Sequence, residues 1–143
     1  MRKYILFLAL TSCASVSETT FGAKSLSQDD FLALQNAATN WNKACNIDLK
    51  ISTNDEGDVN VRRTTTPIKC KNVVGANGCT RSKGNVPYAI DFSIEPGEST
   101  RIVLEHEIGH VMGLKHRDHG IMLPSVPLKS GMSVSKEDCK YIK

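Results

Sequence analysis

His106-Glu107-Ile108-Gly109-His110-Val111-Met112-Gly113-Leu114-Lys115-His116 is the stretch whose reading settles the rest of the chain. Histidines four residues apart share one face of an α-helix, so the imidazoles of His106 and His110 reach a common ion. Glu107 follows the first of them, beside such an ion without being needed to bind it, which is the place for a base acting on water. Gly113 comes a turn later, where a residue tolerant of positive φ ends the helix and turns the chain sharply. That turn returns His116 as a third ligand. Three protein ligands leave a fourth tetrahedral position for water, the arrangement of a catalytic zinc and not of a structural one. Five fixed residue types at these spacings arise by chance with a probability on the order of 10⁻⁵ or lower in a chain of ordinary composition. Three of the four histidines fall on the pattern; His119, the fourth, lies outside it. Gly109 reads as a close-packing position.

Upstream, Ser99 or Thr100 caps this helix, which buries Ile102, Val103, Leu104, Ile108 and Val111. Tyr88, Ile90, Phe92 and Ile94 alternate with smaller or polar residues and predict a half-buried strand over 88–94, ended by Pro96-Gly97. Residues 66–87, with Gly, Asn, Pro and two cysteines, read as loop with at most one short strand. Ile47, Leu49 and Ile51, then Val59 and Val61, predict two strands joined by the turn Asn54-Asp55-Glu56-Gly57-Asp58. That acidic turn lacks the spacing of an EF-hand loop and reads as solvated, so no calcium site is expected. Phe31, Leu34, Ala38 and Trp41 recur at helical spacing and predict an amphipathic helix over 28–44, capped by Ser27 or Asp29, with Trp41 as a core anchor.

HEIGHVMGLKH resembles the zinc signature of the metzincin clan of metallopeptidases. The clan places a methionine in a tight turn beneath the metal. Gly120-Ile121-Met122-Leu123-Pro124 fits that turn, with Met122 supporting the site by packing and not by coordination. The Met-x-Pro form of the turn and the form of the helix resemble matrixins most. Pro124 stands where astacins and serralysins carry a ligating tyrosine, so a three-histidine site is implied. The resemblance is close over 99–124 and extends loosely to the helix around Trp41 and to Ser133–Ile142, read as the terminal helix of such domains. It implies an α+β fold: a small mixed twisted sheet, a long N-terminal helix, the zinc-binding helix, the methionine turn and a C-terminal helix. Three departures stand out. The region that holds structural zinc and calcium in animal matrixins is not recognisable, nor is a cysteine-switch propeptide, and residue 117 is Arg where matrixins usually have Ser.

The N-terminus is read separately. Met1-Arg2-Lys3 and the apolar run Tyr4–Leu10 are too short to span a bilayer and read as a signal peptide, residues 1–12. Leu10-Thr11-Ser12-Cys13 resembles a bacterial lipobox, which makes Cys13 the lipidation candidate and the membrane its anchor; cleavage after Ala14, giving a secreted chain, is the alternative. Residues 13–26 are polar and read as a tether to a catalytic domain over 27–143. Export leaves Cys45, Cys70, Cys79 and Cys139 in an oxidising compartment, where two disulfides form in one of three pairings. Cys70–Cys79 closing a local loop, with Cys45–Cys139 tying the first helix to the last, is the favoured pair. Without Arg2 and Lys3, 18 basic residues against 15 acidic fall almost to balance, which gives no footprint for nucleic acid.

The expected function is therefore hydrolysis of peptide bonds in extracellular or envelope polypeptides by a monomer holding one zinc ion, with Glu107 as general base on the zinc-bound water. Substrate is expected to lie extended along an edge strand, with 79–87 as candidate, and 125–132 (Leu128 among them) to wall a neighbouring pocket by analogy. The alternative is a non-catalytic surface lipoprotein that binds a host or envelope protein on the same scaffold; an intact Glu107 argues against it.

Overall fold

A computed structural model describes residues 18–54, 56–128 and 131–143. The proposed signal peptide and Cys13 lie outside the described residues. The elements are β1 (Thr20–Gly22), α1 (Gln28–Cys45), β2 (Lys50–Ser52), β3 (Val59–Arg63), β4 (Ile68–Cys70), β5 (Val73–Ala76), β6 (Gly78–Lys83), β7 (Val86–Phe92), α2 (Glu98–Val111) and α3 (Lys136–Cys139). Five strands form one sheet in the order β2-β1-β3-β7-β6, with β4 and β5 as a separate hairpin. All neighbours in the large sheet run parallel except β6, which is antiparallel to β7 at the edge. The chain is thus α+β with a mostly parallel, mixed sheet, as expected.

α1 and α2 pack against one another, and one core joins Phe21, Val61, Ile90 and Phe92 of the sheet to Leu34, Trp41, Ile102 and Ile108 of the helices. Ser27 caps α1, its hydroxyl accepting the Asp30 N–H at 3.3 Å. Trp41 is fully buried, and its indole N–H donates to the Glu105 carbonyl at 2.9 Å. That bond satisfies a polar atom the core would otherwise strand, and it fixes the first helix against the second. α2 begins at Glu98, after Gly97, one residue before Ser99 and two before Thr100, so both expected caps lie inside the helix.

Four expectations about the chain's organisation need correction. Thr20–Gly22, within the stretch read as tether, is an interior strand of the sheet, so the folded unit starts before residue 27. One buried aromatic, Phe21, and backbone ladders to both neighbours hold it, which leaves no periodic pattern to read. β2 and β3 are not partners, because β1 lies between them and pairs with each in parallel. The connection passes so close to β1 that a Cβ on Gly57 would strike the backbone of Thr20, Phe21 and Gly22. Residues 66–87 hold β4, β5 and β6, not a single short strand. Apart from the buried Ile68, the β4–β5 hairpin is largely exposed, Val73 and Val74 included, and a disulfide fastens it to β6. The final helix is one turn, Lys136–Cys139, with a capping box from Ser135 and Asp138.

Both favoured disulfides are present. Cys45–Cys139 joins α1 to α3, and Cys70–Cys79 joins the hairpin to β6, with Cα separations of 5.3 and 5.5 Å. β7 occupies 86–92, a shift from the expected 88–94. Its middle is buried on both faces, because Arg62 and Arg81 close over Asp91 at 2.8 and 3.0 Å on the side away from the helices. Among the described residues no helix is long and apolar enough to cross a membrane.

Candidate metal centre

α2 places His106 and His110 one turn apart, and the chain after it folds back through two short backbone bonds. Gly113 N–H reaches the His110 carbonyl at 3.0 Å and Leu114 N–H the Gly109 carbonyl at 2.9 Å. Gly113 has φ of 87°, so the reversal rests on a residue free to enter that region. It returns His116 to the other two. The Nε2 atoms of His106, His110 and His116 lie 3.1, 3.1 and 3.3 Å apart. Nitrogen ligands about 2.05 Å from a tetrahedral ion stand about 3.3 Å from each other, so this triangle has the size such an ion requires.

The tautomers agree with the distances. His106 Nδ1 donates to the Ile121 carbonyl at 2.7 Å and His110 Nδ1 to the Leu114 carbonyl at 2.8 Å, which leaves both Nε2 atoms as unprotonated acceptors. Converging lone pairs with no proton between them repel unless a cation sits among them. Burial pushes the His106 pKa down to about 4 against the opposing Ile121 bond, with His110 and His116 adding to the fall; burial also lowers that of His110. Neutral imidazoles at physiological pH are the form a metal needs. His119 lies apart, against Arg117 and Asp118.

Glu107, the residue after His106 on α2, meets β6. Glu107 is 5% exposed, and its carboxylate accepts a hydrogen bond from Thr80 Oγ1 at 2.7 Å. Burial raises its pKa to about 7, while the Thr80 bond and the charge of Arg81 work to lower it. β6 approaches this closely only because residue 78 is glycine: a Cβ there would stand 2.8 Å from Glu107 Oε1 and from Val103 Cγ1. Gly109 has the same role on the opposite side, where a Cβ would collide with the Met122 sulfur. Met122 itself is fully buried, in a 3₁₀ turn over Gly120–Met122 that also supplies the Ile121 carbonyl to His106.

The chain also matches a family known for such a site. The matrixin family model matches residues 72–143, from just before β5 through α3. The chain belongs to the matrixin family. Matrixins are zinc metallopeptidases, and the three-histidine cluster falls within the matched half. No protein of curated function matches the chain. In this matrixin the first half of the fold, β1 to β4 with α1, lies outside the match yet supplies Trp41, which seats the helix that carries His106 and His110.

The matrixin signature alone would not have found several groups around the site. Thr80 and Gly78 sit in a stretch read mostly as loop, although a glycine inside a strand is itself a sign of close backbone approach. Glu105, directly before His106, is fully buried and is held by Arg101 at 2.6 Å, by Ser133 Oγ at 3.1 Å, by the Val134 N–H at 3.2 Å and by Asn40. It pins the chain that returns after the methionine turn. Of the expected edge strand over 79–87, residues up to Lys83 belong to β6, and Val86 onward belongs to the interior strand β7. Leu128 is exposed, while Val126 and Met132 pack against the core.

Proposed function

We propose that the chain is a zinc-dependent endopeptidase acting on extended polypeptides outside the cytoplasm. The observation that carries this reading is the convergence of three imidazole Nε2 atoms, beside a buried carboxylate that faces the edge strand of the sheet. A three-imidazole site suits zinc, and His106, His110 and His116 would hold it. When bound, such an ion supplies Lewis acidity and lowers the pKa of water from 15.7 to about 7.

The remaining chemistry belongs to side chains on α2 and β6. Glu107 takes a proton from the attacking water and returns it to the leaving amine. Its pKa, raised by burial, keeps both directions of transfer accessible near neutral pH. Thr80 holds Oε2, so Oε1 is left to face the reacting atoms, and the missing side chain at Gly78 gives it room. The outer edge of β6 has no ladder partner among the described strands, and an extended peptide adding there would lie along Glu107. The segment 125–132 is proposed as the wall of the next subsite.

Export rests on the signal-peptide reading of residues 1–12 and on Cys13 as the lipidated residue. Two disulfides support it, since such bonds persist in oxidising compartments. The mass of the mature N-terminus tests this part.

The decisive experiment maps cleavages of a mixed peptide library by the purified chain, with Glu107→Gln and a chelator-treated sample as controls. Cuts made by the wild type and lost in both controls are expected, the variant falling by at least about 100-fold in kcat/KM while retaining zinc. A folded, zinc-loaded wild type that cuts nothing, or a Glu107→Gln chain at full rate, would remove the proposal.

A further inference from the structure

The three histidines are not anchored alike. His106 and His110 are each oriented by a backbone carbonyl at Nδ1. His116 is the exposed member of the cluster, and among the described residues its Nδ1 has no such partner. Its place is therefore set through its backbone, and the next residue, Arg117, is tied down at three points. The Arg117 N–H donates to the Met122 carbonyl at 2.8 Å, Nη1 donates to Asp138 Oδ1 at 3.3 Å, and the guanidinium lies 3.9 Å over the Tyr141 ring. Nη2 also lies 2.7 Å from His119 Nε2.

Asp138 is in turn rigidly held. It is 1% exposed and accepts from the Ser135 N–H at 2.8 Å and the Ser135 hydroxyl at 3.0 Å. The residue after it, Cys139, is bonded to Cys45 of α1. A continuous path thus runs from α1 through the disulfide, α3 and Asp138 to Arg117, and ends one residue from the third imidazole.

Resting on the zinc-site reading above, we infer that Arg117 is a positioning residue for His116. Its ion pair with Asp138 and its stack on Tyr141 hold the third Nε2 against the other two, and so tie metal retention to the disulfide-anchored C-terminal helix. Arginine suits this because its planar cation stacks and donates at once, which the ammonium of lysine does not reproduce.

Competition against a chromophoric chelator gives the zinc affinity of the purified chain and of Arg117→Lys, Arg117→Ser and Tyr141→Leu. Arg62→Ser serves as control, because Arg62 pairs with Asp91 on the far face of the sheet. Groups that orient metal ligands typically contribute 10- to 100-fold in affinity, and a loss of that size is expected for both Arg117 variants, with a smaller loss for Tyr141→Leu. Arg62→Ser should bind zinc as the wild type does, even where its thermal midpoint falls. X-ray absorption should report fewer nitrogen ligands in zinc-loaded Arg117→Ser than in wild type. Should Arg117→Ser not fold, Arg117→Lys and Tyr141→Leu carry the test. Zinc bound by the Arg117 variants as tightly as by wild type overturns the inference alone; a wild type that takes up no zinc overturns it together with the reading beneath it.

Discussion

Thr80 Oγ1 stands 2.7 Å from Glu107 Oε2 and 3.1 Å from the Glu107 carbonyl oxygen, so one hydroxyl on the edge strand addresses both the side chain and the backbone of the same helical residue. The contact holds the sheet edge against α2 and favours the ionised carboxylate.

Replacing Thr80 by Val keeps the shape and removes the donor. The hydrogen bond lowers the Glu107 pKa, so its loss raises that pKa, and a base is inactive when protonated. The acid limb of the kcat/KM profile is expected to move to higher pH, with a larger loss near about pH 6 than near about pH 8. Zinc content should not change. A profile that superposes on the wild type would show that the hydroxyl does not act on the carboxylate.

Gly109→Ala sets two effects against each other. Alanine favours a helix interior by about 1 kcal/mol over glycine, but the added Cβ collides with the buried Met122 sulfur and lies 3.3 Å from the Trp41 ring. Overpacking of this kind costs about 1–3 kcal/mol, so a net loss of about 1 kcal/mol is expected in denaturant unfolding. The loss should shrink when Met122→Ala is present as well. A stabilised Gly109→Ala chain would mean that the methionine turn gives way easily.

Asp30 accepts from Arg63 Nε and Nη2, each at 2.7 Å, and is 3% exposed. The bond to Arg63 holds its pKa below 3.8, ahead of the opposing effect of burial. A depressed carboxylate stabilises the fold above its unfolded pKa, and that contribution is lost as pH falls through the folded value. Asp30→Asn should therefore cost about 3 kcal/mol at neutral pH, the scale for breaking a buried pair from one side. The gap to wild type should narrow only at pH below 3.8. A gap that is constant from neutral pH into that range would assign the cost to something other than the charge.

The two disulfides close loops of very different length, 94 and 9 residues in sequence separation. Loop-closure entropy gives about 4.7 kcal/mol for the first and about 2.6 kcal/mol for the second. Cys45→Ser with Cys139→Ser should lower the thermal midpoint more than Cys70→Ser with Cys79→Ser. The reverse order would mean that the hairpin on β6 matters beyond its loop.

The histidine cluster was legible before any coordinates, because His106, Glu107, His110 and Gly113 lie within two helical turns and His116 just past them. Helical spacing and the conformational freedom of glycine are local properties, and a sequence states them directly. The same holds for α1, whose period of buried residues is long enough to read, and for β7, apart from a two-residue shift. What only the tertiary structure decided depends on residues far apart in the chain. β1 is a strand because β2 and β3 offer it partners on both sides, and its three residues carry no pattern of their own. Thr80 meets Glu107 across 27 residues, Asp138 meets Arg117 across 21 and Asn40 meets Glu105 across 65, each contact set by packing that a local window does not contain. The sequence by itself determined which groups could bind a metal and move a proton; the fold determined what holds them still, because orienting a ligand takes a second residue brought there by the core.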